Sequence, residues 1–127
     1  MIQLLRLDAI TTTGSDGSAT GSYTTPGPVT GKVLGVHIDY STAQAATTDV
    51  TIATVHAPVT TILTVTDNKT DGWYYPRHQV HDSTGTALTL DGTRIMVEPV
   101  AIEDQVTVSV AQADNTETVT VSLVIEV

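Results

Sequence analysis

From Val106 to the last residue the chain alternates. Val106, Val108 and Val110 are separated by Thr107 and Ser109, and after the polar Asp114-Asn115 the apolar positions resume at Val119, Val121, Leu123, Ile125 and Val127. Thr120, Ser122, Val124 and Glu126 fill the places between. A period of two is the signature of a pleated strand with one buried face, whereas a helix repeats every three to four residues. Two such runs joined by a short polar turn predict an antiparallel hairpin. Because the alternation is still in phase at Val127, the end of the chain is expected to be clamped into a sheet.

Composition carries the same message upstream. Thr supplies 25 residues and Val 17, while Phe and Cys are absent. Thr and Val lose χ1 freedom in a helix and suit a pleated surface, so the whole chain reads as all-β. With 127 residues there is material for one domain and one core.

Taken in order, Ile2 to Ile10 is a loose first strand and Thr11 to Gly21 a connector with turn chemistry at Gly14 and Asp16-Gly17. A short strand near Ser22 to Thr25 is stopped by Pro26-Gly27-Pro28. Residues 1–30 thus read as an N-terminal strand plus an arm or loop. Lys32 to Tyr40 is a firm strand with Leu34, Val36, Ile38 and Tyr40 on one face and Val33, Gly35, His37 and Asp39 on the other. A single helical turn is expected at Ala43 to Ala46. In the run from Asp49, Val55 breaks the parity of Val50 and Ile52, which predicts a bulge or change of sheet near Ala53. Thr60 to Thr66 is a further strand, and Ala87 to Leu90 should pair with Thr93 to Val100 through a tight turn at Asp91-Gly92. The total is about eight strands at the spacing expected of an antiparallel β-sandwich. The long connections favour a jelly-roll arrangement with Greek-key crossings.

Charge and residue usage narrow the function classes. Fourteen acids against five bases give a formal charge of −9, which disfavours a nucleic-acid partner. No apolar run approaches the length of a spanning helix, so no membrane role is expected. The first eight residues do not resemble a signal peptide, and synthesis in a cytoplasm with a mature start at Met1 is the expectation. Without cysteine there is no disulfide, thiolate metal site or Cys nucleophile.

The chemically unusual residues concentrate in one stretch, Asp67 to Asp82, which holds the only Trp, two of the four Tyr and two of the four His. His78, His81 and Asp82 carry metal-ligating groups, with His37 and His56 available at a distance, but a spacing of three suits a helix and Pro76 argues against one. Hydrogen bonding to loop backbone, or a subunit contact, is the favoured account of these histidines. Trp73, Tyr74 and Tyr75 can form a stacking platform for a sugar ring with Asp71, Arg77 and His78 as polar partners; they can also fill a core that lacks Phe, or anchor an oligomer interface. The Asn68-Lys69-Thr70 sequon matters only in a secreted protein, and Asp67, Asn68 and Asp71 lack the full calcium-loop pattern. No Gly-x-Ser-x-Gly elbow and no Glu pair set for glycoside hydrolysis occurs, so the chain is read as non-enzymatic, with neither cofactor nor metal.

Gly31-Lys-Val-Leu-Gly-Val-His-Ile-Asp-Tyr40, Thr48-Asp-Val-Thr-Ile52, Ile62-Leu-Thr-Val-Thr66, Thr70-Asp-Gly-Trp-Tyr-Tyr-Pro-Arg77 and Val106-Thr-Val-Ser-Val-Ala-Gln112 together resemble the small β-rich structural proteins of tailed bacteriophages. The likeness spans Gly31 to Val127. It implies a virion component, a head decoration or accessory protein on the capsid exterior, with the major capsid protein as partner and a homotrimer as the expected oligomer. Two alternatives stand beside it: a tail-associated or host-adhesion carbohydrate-binding module, and a neck or tail-tube ring component. The interface or binding residues expected under any of these are Trp73, Tyr74, Tyr75, Arg77, His78 and His81.

Overall fold

Eleven strands and no helix make up the chain in a computed structural model that describes residues 1–127 throughout. They are β1 (Ile2–Arg6), β2 (Ile10–Thr11), β3 (Ala19–Thr24), β4 (Val29–Tyr40), β5 (Asp49–Thr54), β6 (Thr61–Val65), β7 (Gly72–Tyr74), β8 (Arg77–Gln79), β9 (Val97–Asp104), β10 (Val106–Ala113) and β11 (Thr118–Glu126). All pairings are antiparallel. One sheet runs β1-β11-β4-β9-β8, with β2 beside β11 and β7 beside β4; the other runs β3-β10-β5-β6. A single cluster of buried residues, drawn from both sheets, lies between them.

The C-terminal alternation is realised in a different way from the expected hairpin. β10 belongs to the four-stranded sheet and β11 to the seven-stranded one, so the two do not pair. Asp114 to Glu117 carries the chain from one layer to the other, and buried Thr12 holds this arch, its hydroxyl lying 2.6 Å from the Asp114 carbonyl and 3.0 Å from that of Glu117. Val106, Val108 and Val110 therefore reach the core from one side, and Val119, Val121, Leu123 and Ile125 from the other. A period of two specifies a buried face, and either arrangement satisfies it. The end of β11 is tied by backbone bonds between Val127 and Met1, although the Val127 side chain is exposed.

Three further departures have local causes. Between Val124 opposite Gly35 and Ile125 opposite Val33, Leu34 has no partner, so β4 carries a bulge there. The bulge shifts the parity: Val33 is buried with Val36, Ile38 and Tyr40, and Leu34 is left half-exposed. The irregularity expected near Ala53 is present, but the extra residue is Ile62 of β6, between Leu63 opposite Ile52 and Thr61 opposite Ala53. Ala43 to Ala46 forms no helix; Gln44 N bonds to Ser41 O and Thr48 N to Ala45 O as separate turns.

Residues 1–30 supply β1, β2, β3 and the start of β4, so the sheets incorporate the segment expected to be partly an arm. The arm of this protein lies elsewhere. β7 and β9 lie along the same edge of β4, at Val36–Ile38 and Val29–Val33 respectively, and the edge is interrupted at Leu34. There Arg77 donates from Nη1 to the Leu34 carbonyl at 3.1 Å, and the chain leaves as the ribbon β8–β9. Beyond the ribbon the backbone closes on itself at eight-residue intervals: Val80 N donates to Met96 O, Leu88 N to Val80 O and Met96 N to Leu88 O. The hairpin expected between Ala87–Leu90 and Thr93–Val100 is reduced to the single bridge of Thr89 with Ile95.

Candidate functional site

Strand parity decides where each residue of the aromatic segment goes. Residues directly opposite in an antiparallel pair share a face, and β7 pairs Tyr74 with Val36 and Trp73 with His37. Val36 faces the core, so Tyr74 turns inward and packs against the core cluster. Its hydroxyl accepts from Asn68 Nδ2 at 2.9 Å, and the same amide lies 3.5 Å from the Tyr40 hydroxyl. Burial pushes the Tyr40 phenol up to about 12.

Trp73 faces outward, 51 % exposed, its ring centroid 4.9 Å from that of His37 at an interplanar angle of 59°. Trp73 therefore does not fill the core. Tyr75, two residues on and 64 % exposed, lies over Gly35, where the missing side chain leaves the backbone open to the ring. The registers place two rows on this outer face, Arg6–Ser122–His37–Trp73 and Leu4–Val124–Gly35. Trp73 separates two shallow grooves. One, about 160 Å³, is lined by Leu34, Gly35, Tyr75 and Val124; the other, about 300 Å³, by Leu4, Arg6, His37, Asp39, Thr120 and Ser122. At its margin Asp71 Oδ1 accepts from Tyr40 N at 2.7 Å. A hydrogen bond shared with Asp71, and then the Asp71 charge, hold the Asp39 carboxyl above the ordinary carboxylate range.

Arg77, His78 and His81 go to the arm. Arg77 is spent on backbone carbonyls, those of Leu34 and Pro76. His78 Nε2 lies 3.1 Å from Glu98 Oε1 across the ribbon, and His81 Nδ1 lies 2.7 Å from Gln79 O. His37 sits beside Trp73 on the neighbouring strand, and His56 pairs with Asp104 in the loop after β5. No group of three or more His, Asp and Glu side chains converges in the geometry of a metal site, so the structure does not bring the sequence-nominated histidines together.

Each tip of the arm is closed by a carboxylate. Asp82 Oδ1 accepts from Thr84 N, Thr84 Oγ1 and Thr86 N, and Asp91 from Thr93 N, Arg94 N and Arg94 Nε. These bonds hold both carboxyls below the usual range, those from Thr84 leading at Asp82 and those from Arg94 at Asp91. Between the tips Leu88 is half-buried, while Leu90 is 64 % exposed and Ile95 60 %.

The sequence nominated neither the apolar residues of the arm nor Arg6, Asp39 and Ser122 around Trp73. Leu90 and Ile95 look like ordinary strand interior, and only the pairing of β1, β11 and β4 brings the other three together. The parity of β4 does place His37 and Asp39 opposite Val36 and Ile38, and that signal was available. Comparison with protein-family models, curated proteins and solved structures finds no match to this chain. What is established is an all-β chain of two antiparallel sheets, with an aromatic shelf on one face and an apolar-bearing arm at an edge. No helix is long and apolar enough to cross a membrane.

Proposed function

We propose that this protein is a non-enzymatic structural component of a phage virion, a decoration protein that docks on the outside of an assembled capsid through the arm from Arg77 to Glu98. The observation that carries the proposal is the exposure of Leu90, Ile95 and Val97 on a projection that its own subunit leaves uncovered. Exposed apolar side chains along a structured projection suit burial against a partner, and the Asp-closed turns hold the arm in shape before contact, which lowers the ordering cost of binding.

Strand order supports the class of scaffold. With β1 and β2 counted as one interrupted strand along β11, β7 and β9 as one along β4, and β8 assigned to the arm, eight strands remain. Renumbered in chain order, they run 1-8-3-6 in one sheet and 2-7-4-5 in the other, the arrangement of a jelly roll. That architecture recurs in capsid and lectin domains, but a fold alone does not fix a function. A charge of −9 favours a position facing away from packaged DNA. In this proposal three copies group at a local symmetry axis of the shell, and binding only the assembled shell stabilises it by mass action.

The test is addition of purified protein to capsid shells stripped of accessory proteins, followed by sedimentation. Saturation at a fixed stoichiometry is expected for the wild type, together with loss of binding in Leu90→Asp/Ile95→Asp at an unchanged melting temperature. A wild type that stays in the supernatant, or a double variant that binds equally well, would refute it.

A further inference from the structure

We propose that the outer face of the seven-stranded sheet carries a saccharide-binding site, in which Trp73 and Tyr75 stack against the apolar faces of two consecutive pyranose rings and Arg6, Asp39 and Ser122 engage their hydroxyls. The site adjoins the root of the docking arm at Leu34 but includes none of the arm's residues.

The platform rests on two exposed rings. Trp73 and Tyr75 are separated by one residue at the end of an extended strand, so their ring positions are about 7 Å apart along the chain direction. Both face out from the sheet and are more than half exposed. An isolated surface tryptophan needs no explanation, but here the supporting groups hold the platform in place. His37 flanks the Trp73 ring at 4.9 Å, and the absent side chain at Gly35 leaves a flat floor for Tyr75, with Leu34 and Val124 completing the apolar groove. Aromatic rings on a rigid sheet offer a large contact area at little cost in conformational entropy.

Polar complementarity comes from the second groove, where Arg6, Asp39 and Ser122 line the same depression as Trp73. They sit on β1, β4 and β11, at positions that the register of three adjacent strands aligns beside the ring. A guanidinium donates and a carboxylate accepts, so adjacent hydroxyls of one sugar can be held by partners of opposite hydrogen-bonding sense, while the apolar face of the ring lies on the indole. Few polar groups beside an apolar wall is the usual composition of a small-ligand site. The groove is acidic at its Asp39–Asp71 margin, so the ligand expected is a neutral or amino sugar and not a uronic or sialic acid.

Trp73 is the only tryptophan, so its emission reports on the site without labelling. The full-length protein is titrated with glucose, galactose, mannose and N-acetylglucosamine and their β-linked disaccharides, with ¹H–¹⁵N spectra recorded in parallel. At least one disaccharide is expected to give a saturable emission change with a Kd on the order of 1 mM, as suits a shallow open site. Amide shifts should be confined to the vicinity of His37, Trp73 and Ser122. Asp39→Asn should weaken binding at least about tenfold with Trp73 still present to report it, and Trp73→Ala should abolish the shifts, both with unchanged circular dichroism. The proposal is overturned if no sugar perturbs Trp73 up to about 20 mM, if the shifts map to the arm, or if emission responds to protein concentration alone, which would make this face a contact between copies. Shell binding by Trp73→Ala separates the two proposals, since an arm-docked protein keeps it.

Discussion

Gly31→Ala is the substitution expected to damage this fold most for the fewest added atoms. Gly31 lies in β4 opposite Ile102 of β9, with φ near +138°, a backbone conformation that side-chain-bearing residues rarely adopt. Holding alanine there costs about 1–3 kcal/mol. The added Cβ would lie 2.5 Å from the Glu126 carbonyl oxygen and 2.7 Å from Ile125 Cγ2, both on β11. The closest of these is backbone and cannot rotate away, so the strands must separate, at a further cost of about 1–3 kcal/mol. Together the loss is about 2–6 kcal/mol. An unfolding entropy of roughly 2.1 cal/mol/K per residue converts this to a fall in Tm of about 7–22 °C. Gly72→Ala is the control, because nothing lies within 4 Å of its added carbon; it should shift stability by less than about 1 kcal/mol. Thermal and urea unfolding of both variants by circular dichroism gives the comparison. A Gly31→Ala protein melting within about 2 °C of the wild type would mean that β4 and β11 do not approach as closely as described.

Two further outcomes follow from side chains that bridge parts of the fold. Arg77→Ala removes the donor to the Leu34 carbonyl where the sheet edge is interrupted; global stability should fall by no more than about 0.5–1.5 kcal/mol. Amide exchange should accelerate from Arg77 to Glu98 and not in β10 or β11, and uniform acceleration would show that the arm is not anchored there. Asp104 ends β9 in one sheet and accepts from the His56 ring at 2.6 Å and from its backbone N–H at 2.7 Å, at the end of β5 in the other. The bond from the His56 ring, then those from the His56 and Gln105 amides, hold its pKa below the ordinary value. A depressed folded pKa gives stability that is fully present above the unfolded value of about 4 and is lost as pH falls through the folded one. Urea midpoints should therefore drop as pH falls below about 5, and Asp104→Asn should flatten that drop; an identical slope in the variant would contradict the assignment.

How much of this was legible in the sequence varies with the kind of information each residue carries. The β class and the buried faces of β5, β10 and β11 follow from alternation among Val, Ile and Thr, because burial on one side of a strand imposes a period of two. Partner choice is not encoded that way. Val106–Ala113 and Thr118–Glu126 have the alternation and the polar turn of a hairpin, yet they enter different sheets, because the same buried face can be presented to one core from either side. At Leu34 a single unpaired residue moved a leucine from the core to the rim of the aromatic shelf, and the parity of Lys32 to Tyr40 gave no sign of it. Trp73 to His81 was visible as unusual chemistry. Its division into an outward shelf, an inward Tyr74 and the root of an arm depends on the pairing of β7 with β4, which residue type cannot reveal.

The central functional claim is that the arm, and not the aromatic shelf, meets the capsid. A cryo-electron-microscopy reconstruction of shells saturated with the wild-type protein tests it most directly. The account predicts density for Leu90 and Ile95 seated against the shell, with Trp73 directed to solvent; an empty exterior, or a bound protein whose Trp73 face is buried while the arm points outward, would contradict it.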